Sequence, residues 1–117
     1  MVIQKFEEII AWQKGQDLAV EIYRIFGSHS DYKFRDQICS AVVSISNNIA
    51  EGFDRESHAD FNRFLNFSMG SCSECKSMLY LAERLRYISR ETAEKLRNLS
   101  AEISKIIMGL KKSLKAK

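Results

Sequence analysis

Apolar residues recur at three- and four-residue steps along almost the whole chain, which is the spacing of one face of an α-helix. Four segments with this spacing predict helices over residues 7–26, 33–54, 58–87 and 90–115. The most regular stripe lies in the last segment and consists of Leu96, Leu99, Ile103, Ile106, Leu110 and Leu114. Short polar connections force neighbouring helices to be antiparallel. The pattern predicts an all-α, up-and-down four-helix bundle in a single domain, residues 1–117.

Turn and capping residues support these boundaries. Gly27 follows the first stripe and is a plausible helix stop. Ser57 stands three residues before Asp60, as in a capping box with a shortened carboxylate, and Ser89 marks the start of the last helix. The chain has no proline and only five glycines, so most signals for strands and turns are missing.

The second helix carries a polar sector with few charges. Its members are Gln37, Ser40, Ser44, Asn47, Asn48 and Glu51. Ser and Asn are poor helix formers, and short polar side chains let another backbone approach closely. The sector is either a solvated face or a contact surface, and the sequence leaves both interpretations open.

The third helix has two apolar stripes. The main one consists of Phe61, Phe64, Leu65, Ser68, Cys72, Cys75, Leu79 and Ala82. The second consists of Phe67, Ser71, Glu74, Met78, Leu81 and Leu85. A bundle helix needs one such face, so the second stripe predicts self-association. We expect the interface to contain Phe67, Ser71, Glu74, Met78 and Leu81, with Asn48 and Glu51 of the second helix.

Composition and charge limit the classes of function that the chain could have. The chain is 45% hydrophobic and 28% charged, without a secretion signal or a membrane-length apolar run, so we expect a cytoplasmic protein. Residues 84–117 carry ten basic and three acidic residues, a net +7, whereas residues 1–83 have a net charge of −4. This basic third favours an acidic partner such as RNA or DNA. The candidate contacts are Arg84, Arg86, Arg90, Lys105, Lys111, Lys112 and Lys115, although each one also fits a solvated helix face.

Candidate catalytic chemistry is weak. Cys72-Ser73-Glu74-Cys75 has CxxC spacing, but it lies mid-helix on the main stripe and has no second ligand pair, so buried packing is favoured over a redox or zinc site. Glu51 and Glu74 fit ion pairs with Arg55 or Arg63 better than acid–base catalysis. Motifs for di-metal, phosphate-loop and nucleophile sites are missing. We expect no enzyme, cofactor, metal or membrane partner.

Three motifs resemble a known family. They are Phe6-Glu7-Glu8 with Trp12-Gln13-Lys14, the run from Ala41 to Phe53, and Phe61 with Arg63-Phe64-Leu65, Gly70-Ser71 and Glu74. Together they resemble the bacterial four-helix-bundle proteins encoded in intervening sequences of 23S ribosomal RNA genes. The resemblance implies a ring-shaped homo-oligomer, with pentamers typical, and offers no active-site residues to transfer. The chain departs from the pattern at Ser46, Asp54, Cys72 and Cys75.

The resemblance also bears on partners. Relatives that accompany diversity-generating retroelements look like nucleic-acid-binding partners of a reverse transcriptase, which implies RNA or DNA binding here. The alternative is a protein-interaction scaffold whose oligomer recruits another protein, such as a reverse transcriptase-like partner. We therefore predict a non-enzymatic, self-associating protein that binds RNA or DNA.

Overall fold

The computed structural model describes the backbone of residues 2–115 and the side chains of residues 2–114. It contains one short 3₁₀ helix and four α-helices in an elongated body of 46 × 22 × 19 Å. The 3₁₀ helix is Phe6–Glu8, and the α-helices are α1 (Ile10–Phe26), α2 (Tyr32–Phe53), α3 (His58–Arg84) and α4 (Arg90–Lys115). No strand occurs in this part of the chain. The all-α class and the four-helix bundle are confirmed.

Two helix ends differ from the prediction by three residues, and each end of the second helix differs by one. The first helix begins at Ile10 rather than at residue 7, because Phe6–Glu8 forms a 3₁₀ turn and Ile9 is extended. The third helix ends at Arg84 rather than at residue 87, because Arg86 has a left-handed φ of 61°. There, the N–H of Tyr87 donates to the Ala82 carbonyl and the N–H of Arg86 donates to the Glu83 carbonyl. This is a Schellman motif formed without glycine.

The capping serines act as predicted at both helix starts. The Ser57 hydroxyl accepts the N–H of Asp60 at 3.1 Å, and the Ser89 hydroxyl accepts the N–H of Thr92 at 3.1 Å. The Asp60 carboxylate lies 3.6 Å from Arg63 instead of completing a capping box. These bonds fix where α3 and α4 begin, since they satisfy amides that have no partner inside the helix.

Contacts between the helices establish the antiparallel order. Gly15 of α1 lies against Ile45 and Ser46 of α2. The Ser68 hydroxyl of α3 donates to the Ile45 carbonyl at 2.7 Å, and Ser100 of α4 donates to the Cys72 carbonyl at 3.0 Å. An ion pair of 3.0 Å between Lys14 and Glu102 joins α4 to α1. Each helix therefore packs against two antiparallel neighbours.

The core is built from side chains of all four helices. Every residue of the main α3 stripe is buried, as predicted. The predicted stripe of α4 is only partly buried. Four of its members are half-buried, namely Leu99, Ile106, Leu110 and Leu114, whereas Ile107, which lies outside the stripe, is fully buried. The face of α4 that points at the bundle axis is thus rotated from the predicted stripe toward α3.

One end of the bundle is joined by a polar contact. The Tyr87 hydroxyl donates to Asp31 at 2.6 Å, and the same carboxylate accepts the N–H of Phe34 at the start of α2. These two hydrogen bonds lower the pKa of Asp31, and the bond to Asp31 raises the pKa of Tyr87. The rings of His29 and Phe34 lie 4.2 Å and 5.3 Å from that of Tyr87, so the two loops at this end form one cluster.

The tightest helix contact is at Gly52, where α2 meets α3. A Cβ atom placed on Gly52 would lie 2.6 Å from the Phe64 Cβ and 3.1 Å from Cδ1 of Phe61. Neither neighbour can move far, since both belong to the buried part of α3. Glycine is required here for packing, because a larger residue would push the two helices apart.

The first prediction compares two alanine substitutions. Gly52→Ala should lower the free energy of unfolding by about 1–3 kcal/mol through overpacking. Gly109→Ala, at a helical position with nothing within 4 Å of the added Cβ, should raise it by roughly 1 kcal/mol through helix propensity. Urea unfolding at one fixed protein concentration measures both. Shifts of the same sign would contradict the close contact at Gly52.

Candidate interaction surfaces

The two sets of predicted interface residues lie on one side of the bundle. Glu51 of α2 pairs with Arg55 at 2.9 Å, and the Arg55 guanidinium lies 4.8 Å from the ring centre of Phe64. Phe64 in turn packs edge-on against Phe67, with ring centres 5.6 Å apart. We call this side the α2–α3 surface, and its predicted members are Asn48, Glu51, Phe67, Ser71, Glu74 and Leu81. The structure thus connects residues that are far apart in sequence.

The apolar members of the second α3 stripe differ in exposure. Phe67 is 48% exposed and Leu81 is 46% exposed, as is Leu85. Met78 is only 9% exposed and packs in the core of its own chain, whereas the stripe predicted an exposed position. A methionine side chain is long and flexible enough to reach from the edge of a helix into the core.

The polar sector of α2 lies on the surface beside that stripe. Gln37, Ser40, Asn47 and Glu51 are exposed, whereas Ser44 and Asn48 are half-buried. The Asn48 amide donates to the Ser44 carbonyl of its own helix at 2.8 Å. The sector therefore presents short side chains, and its one acid is already paired with Arg55.

Two arginines lie against the aromatic pair of Phe64 and Phe67. The Arg63 guanidinium lies 5.0 Å from the ring centre of Phe64 and 5.6 Å from that of Phe67. Arg55 covers Phe64 from the α2 side. Cation–π contacts of this kind hold both arginines against the aromatic pair. The predicted pairing of Glu51 with Arg55 is confirmed, whereas Glu74 forms no ion pair with any described residue and Arg63 pairs with Asp60. The stacking of Arg63 was not predicted.

The seven predicted nucleic-acid contacts do not form one cluster. Arg84 and Arg86 are exposed at the end of α3, and Arg90 pairs with Glu94 at 3.1 Å. Lys105 and Lys112 are exposed on α4, whereas Lys111 is half-buried and donates to Asn66. The side chain of Lys115 lies outside the described residues. Arg90 and Lys112 are separated by roughly 33 Å along α4 at the usual helical rise.

A groove between α3 and α4 adds a residue that the sequence did not suggest. Its volume is about 260 Å³, and its rim contains Lys76 and Ser73 of α3 together with Lys105 and Ser104 of α4. Lys76 was missed because it lies in the acidic first part of the chain. Aligning α3 and α4 as antiparallel neighbours would have placed Lys76 beside Lys105.

The cysteines are buried rather than available for chemistry. Cys39, Cys72 and Cys75 are all free thiols, and Cys72 and Cys75 are 2% and 0% exposed. Burial raises the pKa of the Cys72 and Cys75 thiols to about 12 in each case. Within the described residues, no three His, Cys, Asp or Glu side chains come together as metal ligands would. The two CxxC thiols occupy core positions of the main α3 stripe.

Across residues 2–115, no helix combines the length and the apolar character that crossing a bilayer requires.

Comparison with known proteins identifies a family and a related solved structure. The family model for 23S rRNA-intervening sequence proteins matches residues 7–109. Among solved structures, a protein of unknown function from the S23 ribosomal protein family of Bacteroides thetaiotaomicron superposes with a TM-score of 0.82. It is 31% identical, and the match covers 88% of this chain and 99% of that chain. A search of curated proteins gives no significant match.

The second prediction concerns thiol reactivity. At neutral pH the folded protein should leave Cys72 and Cys75 unmodified by a maleimide, because both are buried and a thiol with a pKa of about 12 is almost wholly protonated. Unfolding in denaturant should expose both to modification within the same period. Mass spectrometry of peptides counts the modified sites. Rapid labelling of either thiol in the folded protein would contradict the buried packing.

Proposed function

Because the chain belongs to the 23S rRNA-intervening sequence protein family, we propose that it is a self-associating protein that binds RNA or DNA and has no catalytic step of its own. One observation carries this proposal. Helix α3 has exposed apolar side chains on its α2 side and a lysine-lined groove on its α4 side. Two different partners can therefore be bound at once.

Self-association is supported by the α2–α3 surface. Phe67 and Leu81 are almost half exposed on one helix, beside short polar side chains that let a second backbone approach. Burying such aromatic and aliphatic anchors is the main favourable contribution to protein interfaces. We propose that copies meet there to form a ring-shaped homo-oligomer, and the family resemblance suggests five copies.

Nucleic-acid binding is supported by the charge of the last third of the chain. In the part of the chain that the structure describes, Arg84, Arg86 and Lys105 form no ion pair, so their charges are available to phosphates. Contacts of this kind position a nucleic acid without reading its sequence. Residues 84–117 have a net charge of +7, which favours such contacts.

A protein-interaction scaffold is the second candidate, since the same exposed Phe67 and Leu81 could be covered by a different protein. The salt dependence of binding distinguishes a nucleic-acid partner from a protein partner. Binding to phosphates should weaken by a factor of about 10³–10⁵ between 50 and 200 mM salt if 6–10 phosphates are contacted. Binding through an apolar surface should change little over the same range.

The third prediction tests self-association. Light scattering at tens of micromolar should show the wild type to be larger than one chain. Phe67→Glu with Leu81→Glu should raise the dissociation constant by roughly 30-fold or more, since removing a central apolar anchor costs about 2 kcal/mol or more. Val20→Glu, at an α1 side chain that is 54% exposed, should leave assembly unchanged. A wild-type monomer under these conditions would refute the proposal.

The fourth prediction tests the basic residues of α4. Replacing Lys111, Lys112 and Lys115 by Glu should weaken binding to ribosomal RNA fragments and to random duplex DNA alike. On duplex DNA, the slope of log affinity against log salt should become shallower by about 0.9 for each phosphate that the variant no longer neutralises. Fluorescence anisotropy over a series of salt concentrations gives both quantities.

The matched control for this variant carries the same change in net charge. It replaces three exposed lysines outside the predicted contacts by Glu, namely Lys5, Lys33 and Lys95. If both triple variants weaken binding equally, only net charge matters and the assigned residues are wrong. If neither weakens it, the basic end of α4 does not contact nucleic acid.

A further inference from the structure

The groove between α3 and α4 brings together two lysines from different helices. Lys76 of α3 is half-buried and Lys105 of α4 is exposed, and both line the same space of about 260 Å³. Ser73 and Ser104 also line this space. At its base, the Ser100 hydroxyl is already bonded to the Cys72 carbonyl at 3.0 Å. The other polar side chains that line the groove are those of Lys76, Lys105, Ser73 and Ser104, which offer ammonium and hydroxyl donors.

Two acids on the helices that line this groove have other partners. Glu83 pairs with Arg97 at 2.8 Å, and Glu102 pairs with Lys14 of α1 at 3.0 Å. Neither Lys76 nor Lys105 forms an ion pair with any described residue. Two like charges that share a groove repel each other unless an anion lies between them. The groove therefore favours an anionic ligand.

Size and lining indicate which anion fits. The volume of about 260 Å³ is below the roughly 300–1,000 Å³ of sites that enclose a drug-sized molecule. Among the residues that the structure describes, no aromatic side chain on which a base could stack lines the groove. A phosphate group needs only cationic and hydroxyl donors, and Lys binds phosphate as a point charge. These features fit one backbone phosphate better than a base or a whole nucleotide.

We propose that the groove between α3 and α4 binds a backbone phosphate of an RNA or DNA strand, held by Lys76 and Lys105 with help from Ser73 and Ser104. This inference rests on the proposed nucleic-acid binding and gives it a specific site. The contact is independent of base identity. It lies on the opposite flank of α3 from the α2–α3 surface, so the residues proposed to bind phosphate differ from those proposed for self-association.

The experiment compares Lys76→Gln, Lys105→Gln and the double variant with the wild-type protein. The probe is a short single-stranded homopolymeric RNA, and the affinity is measured by anisotropy at several salt concentrations. Each Gln should weaken binding, and the double variant should make the slope of log affinity against log salt shallower by about 0.7, the value for one phosphate of a single strand. Thermal unfolding of each variant verifies that the bundle is intact.

Lys95→Gln is the matched control, since it removes one charge from an exposed position of the same helix outside the groove. It should leave the salt slope at its wild-type value. If the wild type binds RNA and the double variant binds with an unchanged slope, the groove assignment is overturned while the proposed function stands. If the wild type binds neither RNA nor duplex DNA, the proposed function is overturned and the groove assignment with it.

A further arm uses inorganic polyphosphate as the probe, because it offers the same phosphate chemistry without bases or sugars. Equal dependence of RNA and polyphosphate binding on Lys76 and Lys105 would support a contact to phosphate alone. Abolished polyphosphate binding in the double variant with unchanged RNA binding would overturn the assignment to a nucleic-acid strand.

Discussion

The close approach of α2 and α3 is the constraint on which the rest of the structure depends. Gly52 leaves no room for a Cβ atom beside Phe64, and Ser68 donates to the Ile45 carbonyl at 2.7 Å a few turns away. With the two backbones this close, Phe61 and Phe64 fill the space between them. Phe67 packs edge-on against Phe64 and stays half exposed. The same close packing that stabilises the pair of helices thus creates the exposed apolar surface.

The sequence predicted those parts of the fold that depend on local signals. Periodicity identified the buried stripe of α3, and single serines marked where α3 and α4 begin. The end of α3 was missed because Arg86 adopts a left-handed conformation that is usually found at glycine. The sequence therefore contains no glycine at this position to indicate the helix end. The rotation of α4 was missed for another reason. The helices that pack against α4 decide which side of its apolar stripe is buried. The periodicity of one helix gives no information about those neighbouring helices.

The candidate surfaces were predicted less completely, because each depends on contacts between helices. A helical wheel gives the direction of a residue but not the reach of its side chain, so Met78 was placed on the surface although it packs inward. Lys76 was overlooked because the charge distribution along the sequence does not show which lysines lie together in space. In the structure, Lys76 of α3 and Lys105 of α4 line the same groove. Resemblance to a family added the expectation of a ring-shaped assembly, which no local pattern indicates.

The two proposed surfaces would reinforce each other energetically. A groove with two lysines binds one phosphate, and such binding is weak and easily screened by salt. If copies assemble through the α2–α3 surface, every copy adds an identical groove at a fixed distance from the previous one. A strand bound at one groove is then held at high effective concentration near the next, which raises affinity without any new kind of interaction. Self-association would therefore convert a weak anion site into a surface that binds nucleic acid with higher affinity. A monomeric variant should bind a long strand far more weakly than the loss of its substituted residues alone would explain.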